Sequence, residues 1–117
     1  MSMEFYSARL LFIILVDDGK PRKRNHFDES VVVFRAKDLG QAFKRALQLG
    51  KSSETTYLNQ RGQKVRWTLA EVVSLDWVGR EIDGKEVASK LHYRTQSRPI
   101  PSNRQFHPER SKPTQTF

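Results

Sequence analysis

Lys20-Pro21-Arg22-Lys23-Arg24 places four cations within five residues, the densest charge in the chain. Cations packed like this can contact phosphate oxygens, and such binding releases counterions and weakens with salt. The bland reading of Lys20, Arg22, Lys23 and Arg24 is a solvated loop that keeps a strand end soluble. The string also matches a nuclear-localisation pattern. No aromatic is interleaved with the cations, so stacking of single-stranded bases has no support.

The remaining chemistry-bearing residues do not form a constellation. His26, His92 and His107 are scattered, and no two have helical i, i+4 spacing, so no metal site is expected. No Ser sits in a Gly-x-Ser-x-Gly elbow. Gly40 and Gly50 are isolated, and no glycine loop cradles phosphates. The chain has no Cys, which excludes disulfides and thiolate ligands. No cofactor is expected, and an enzyme is the last of the readings. Glu71 is the oddest residue, a carboxylate in phase with Trp67, Leu69, Val73 and Leu75. It is a functional acid, a residue at the sheet's rim, or a residue turned outward by a bulge near Ala70. Trp67 and Trp77 share that phase and read as core or rim packing before a ligand platform.

These residues need elements to hold them. Phe5 to Val16 reads as a strand, with Tyr6, Ala8, Leu10, Phe12, Ile14 and Val16 on one face at period two. Its other face begins polar at Ser7 and Arg9 and turns apolar at Leu11, Ile13 and Leu15. Asp17 to Asn25 is a turn. Ser30 to Ala36 is a second strand, also apolar on both faces through Val31 and Val33 against Val32 and Phe34. Asp38 with Gln41 resembles a reciprocal N-cap and opens a helix to Leu49, with Leu39, Ala42, Phe43, Ala46 and Leu47 as its stripe and Gly50 as its stop. Thr55 to Asn59 is a short strand, Gln60 to Gln63 a turn, and a long strand starts at Lys64. Asp83-Gly84 signals a hairpin turn into a last strand, Val87 to Tyr93. The fold class expected is α+β, a mainly antiparallel sheet in the order β-β-α-β-β-β with the helix on one face.

At 117 residues and 37% hydrophobic, the chain suffices for one modest core. The expected domain runs over residues 1–94. From Thr95 the composition turns to Pro, Ser, Thr, Gln and Arg, which reads as a basic flexible tail over 95–117. Formal net charge is +8, and half the excess lies from Arg94 onward, where five cations face only Glu109. The apolar run Leu10 to Val16 is far short of a membrane span, and no basic leader precedes it, so a cytoplasmic protein with no membrane partner is expected.

Several segments resemble a family of small, mostly bacterial domains known only as a domain of unknown function. They are Phe5 to Phe12, Val31 to Asp38, Ala42 to Gly50, Tyr57-Leu58-Asn59, Val65-Arg66-Trp67 and Asp83 to Val87. The resemblance covers roughly residues 5 to 93. It implies a fold and carries no activity with it.

The best functional expectation is a non-enzymatic binding or accessory module. It would work through protein contacts at Leu11, Ile13, Leu15, Val31 and Val33, with a protein partner or a second copy. A nucleic-acid accessory protein using the basic turn and tail is the alternative. An immunity or antitoxin-like role is the third reading. Positive charge counts against its common form, because inhibitors of basic nucleases need acidic surfaces. No small-molecule substrate is evident.

Overall fold

The computed structural model describes residues 2–113, and the last four residues of the expected tail lie outside them. The elements are β1 (Glu4–Asp17), β2 (His26–Ala36), α1 (Leu39–Ser52), β3 (Thr55–Leu58), β4 (Lys64–Gly79) and a short 3-10 turn at Pro108–Arg110. The four strands form one antiparallel sheet in the order β2-β1-β4-β3, so the chain is the α+β protein its periodicity predicts.

β1 is central and its even residues form the core. Tyr6, Ala8, Leu10 and Phe12 are buried, with Phe34 and Ala36 from β2 beside them. Complete burial of Leu10 stabilises by about 1.5–3 kcal/mol. β2 begins at His26, before the Ser30 that its apolar run suggests, because β1 carries the ladder on to Ile14 opposite His26.

α1 covers this face. Asp38 caps it by accepting from Gln41 N at 2.8 Å, and the Gln41 side chain reaches back to Lys37 N at 2.7 Å. The buried stripe keeps Ala42 and Ala46 of the one expected but replaces its large members with Gly50. Ala42, Ala46 and Gly50 face the sheet, while Leu39 and Phe43 are exposed. Small residues at i, i+4 and i+8 let the helix lie close to the strands. Gly50 is therefore a packing residue and not a stop: a Cβ there would lie 2.7 Å from Leu69 Cδ2. The helix runs on to Ser52, where Ser53 N reaches Leu49 O and Gly50 O.

The helix is too short to cover its face. Its fourteen residues span about 21 Å, and the fourteen of β1 span about 46 Å. Past Phe12, the face continues through half-buried Ile14 and Val16 with Trp67, whose indole N–H donates to the Tyr57 hydroxyl at 3.4 Å.

β4 settles the reading of Glu71. Its register against β1 slips at Ala70, Val73 and Val78. The first bulge puts Glu71 opposite Leu11, on the face away from the helix. It also brings Val72 opposite Leu10, into the core. The second bulge restores the phase, so Leu75 meets Ala8 and Trp77 meets Tyr6. Strict alternation assigns Val73 to the core, but it is exposed.

The expected last strand is absent. The turn forms, with Lys85 N donating to Ile82 O at 3.1 Å and Gly84 at φ 73°. Gly79, however, has φ 118° and takes the chain out of the sheet as β4 ends. Residues 86–90 then lie against the second face, where Val87 and Ala88 are half-buried and Ser89 and Lys90 flank Arg9 and Leu11. Leu91 and Tyr93 are exposed. No helix among the described residues is long and apolar enough to cross a membrane.

Candidate functional site

The second face of the sheet carries the apolar residues that the sequence singles out, and the turn with the basic cluster lies at one end of it. Cross-strand partners share a face, so the ladder defines its rows. Val33, Ser7 and Asp76 form one, followed by Val31, Arg9 and Ser74. Glu29, Leu11 and Glu71 come next, then Phe27, Ile13 and Thr68. The face is less apolar than β1 and β2 suggest separately. Arg9 Nη1 lies 3.3 Å from Glu29 Oε1, and Glu71 stands on the other side of Leu11. Arg9, Glu29, Glu71 and Lys90 surround a hollow of about 310 Å³. At the Ser7 end the face is closed, for Ser7 is wholly buried and its hydroxyl makes no hydrogen bond within the described protein.

The open part is the β2 side. Phe27 is 54% exposed, Val33 41% and Val31 40%, next to half-buried Leu11 and Ile13. Phe27 lies outside the expected interface because the apolar run that marks the second strand begins only at Ser30. The register that places it opposite Ile13 is a property of the folded hairpin. Leu15 belongs elsewhere, at the end of the face beneath the β1–β2 turn.

That turn is built by its own side chains. Asp18 accepts from Lys20 N at 3.0 Å, and its carboxylate grips the Arg22 guanidinium with both oxygens. Asn25 Nδ2 donates to Arg22 O at 2.9 Å. The Arg22 hydrogen bond, aided by the Lys20 amide, holds the Asp18 carboxyl below the ordinary carboxylate value. Arg22 is therefore committed to the turn. Lys20 and Arg22 line a half-open hollow of about 560 Å³, whereas Lys23 and Arg24 lie outside it in solvent.

The opposite wall comes from β4. Arg66 stands across from Leu15 and Lys64 across from Asp17, and both cations line the hollow. Alternation along β4 sets Lys64 and Arg66 opposite in phase to Val65 and Trp67. The antiparallel β1–β4 register, which no local pattern specifies, joins them to Lys20. Lys20, Lys64 and Arg66 form no ion pair among the described residues.

Trp77 is 65% exposed, and its indole N–H donates to the Glu4 carboxylate at the rim. The histidines stay apart: His92 accepts from Arg94 Nε at 3.1 Å, and His107 contacts Glu109. Among the described residues no three His, Cys, Asp or Glu side chains converge as a metal site would need.

No curated protein and no solved structure matches the chain. A family model does: the one described as a domain of unknown function, DUF4288, matches residues 5–89, from the start of β1 to the segment on the second face. The chain belongs to that family.

Proposed function

We infer that the chain is a non-enzymatic binding module whose contact surface is the open half of the second sheet face. The observation that carries this reading is the row Phe27, Val31 and Val33 on edge strand β2, each two-fifths exposed or more, beside Leu11 and Ile13. Scattered apolar residues on a surface need no explanation, but neighbours on one strand face form a patch that a partner can bury. Glu29 stands between Phe27 and Val31 on β2, so its pair with Arg9 crosses the patch, while Glu71 adds a polar group on the β4 side, of the kind that such interfaces carry.

The occupant argued for is a second copy of this chain, since β2 is also the open edge of the sheet. Light scattering on the full chain is expected to show a dimer or larger species. Phe27→Asp or Val33→Asp, each at a solvent-facing position, is expected to shift it to monomer while leaving the far-UV circular dichroism unchanged. A wild-type chain that stays monomeric at every concentration tested overturns self-association.

A further inference from the structure

The hollow under the β1–β2 turn has a different chemistry from the apolar patch. Leu15 floors it, Lys64 and Arg66 rise from β4 on one side, and the turn from Gly19 to Asn25 closes the other with Lys20. We propose that this hollow is a binding site for the phosphate groups of a small ligand, a diphosphate or phosphate ester, held by Lys20, Lys64 and Arg66. Among the described residues none of these cations closes an ion pair, although Asp18 lies near enough to Lys20, and Glu54 to Arg66, to feel their charge. A phosphate offers several acceptor oxygens to the ammonium groups of the lysines, and its geometry fits the planar fork of Arg66. Among the described residues Asp17 is the one carboxylate on the lining, against the cations Lys20, Arg22, Lys64 and Arg66.

The wall is fixed before any ligand arrives. Asp18 holds both the Lys20 amide and the Arg22 guanidinium, and Asn25 ties the far side of the turn to Arg22 O. Such a wall loses little freedom on binding. Size and shape favour a small ligand over a polymer. A hollow of about 560 Å³ falls within the range of small-molecule sites. Lys23 and Arg24, which would extend the cations into a track for a nucleic-acid backbone, stay outside it. Among the described residues no aromatic side chain lines the hollow, so they offer phosphate contacts and an aliphatic floor and no stacking platform.

The probe is inorganic pyrophosphate, titrated calorimetrically into the full chain at low salt, with thermal melting in parallel. Saturable one-to-one binding that weakens as salt rises is expected, with a melting temperature that climbs with pyrophosphate. Arg66→Gln and Lys64→Gln should each weaken binding roughly tenfold or more, as loss of a charged hydrogen bond does. The double change Lys23→Gln with Arg24→Gln should cost no more than about twofold, the scale of a screened surface charge. If one wall variant fails to fold, the other still reads the site. Absence of saturable binding and of any melting shift overturns the proposal. Equal weakening in the wall variants and the Lys23/Arg24 control overturns it too, leaving only diffuse attraction. So does tight binding of duplex DNA that pyrophosphate cannot displace, which would assign these cations to a nucleic acid.

Discussion

Glu54 shows how one carboxylate can complete a sheet. β3 pairs with β4 only from Thr55 to Leu58, so Leu69 N has no strand beside it. The Glu54 side chain fills that place, accepting from Thr68 Oγ1 at 2.6 Å and from Leu69 N at 2.9 Å. Those bonds, the Thr68 hydroxyl first, hold its carboxyl below the ordinary value of 4.5. A carboxyl whose pKa is lowered by folding stabilises the fold above its unfolded value, and that contribution is lost as pH falls through 4.5 and lower. Glu54→Gln keeps an acceptor oxygen and removes the titratable charge. In urea unfolding, wild type should lead the variant at neutral pH, and the gap should close in acid. The residual acid sensitivity of the variant is expected to come partly from Asp18, which is shifted in the same direction by Arg22. A gap that persists unchanged below pH 4.5 refutes the assignment. Glu71 illustrates what sequence shows at this scale. Its oddity is legible and a bulge near Ala70 is one stated reading, but the choice depends on β1, far away in the chain, which positions Val72 against Leu10.

Among the elements, β1, β2, β4 and the helix cap were legible because period-two alternation and capping chemistry are local. The buried side of α1 was legible only in part. Ala42 and Ala46 of the expected stripe do face the strands, but Gly50 joins them in place of exposed Leu39 and Phe43, because close approach is decided by the surface of the sheet. Gly50→Ala tests this packing. In a free helix the change is worth about 1 kcal/mol in favour of Ala. Here the added methyl meets the Leu69 side chain, and overpacking costs about 1–3 kcal/mol. A net loss of up to about 2 kcal/mol in chemical denaturation is expected, largely recovered in the double variant with Leu69→Val. A Gly50→Ala chain more stable than wild type contradicts the close packing. The last strand failed for a related reason. Val87 to Tyr93 alternates well, but a strand also needs an edge to pair with, and Gly79 steers the chain away from β4.

For the molecule as a whole, every residue from Ser89 to Pro113 is exposed. The family match ends at residue 89. The radius of gyration is 19.0 Å, against about 13 Å for a compact chain of this length. Ser89 and Lys90 still flank the second face, and the contacts beyond them are local, such as Arg104 over the Phe106 ring at 5.4 Å. A chain ending at Arg94 is therefore expected to keep the melting temperature of the full chain and lose only charge. A lower melting temperature would show that the segment supports the sheet. The hollow was legible only in half, because Lys20 and Arg22 form a conspicuous run whereas Lys64 and Arg66 join them through folding. The three bulges of β4 also bear on how such a chain avoids its neighbours. From Thr68 to Gly79 the outer side of β4 is unpaired, and a straight run of free amides and carbonyls would template another molecule's strand. Slips at Ala70, Val73 and Val78 break that run into short pieces, and Glu54 occupies one of the amides. The irregularities that sort Glu71 from Val72 thus also guard this side against fibril growth, and leave the smooth edge at β2 as the one suited to company.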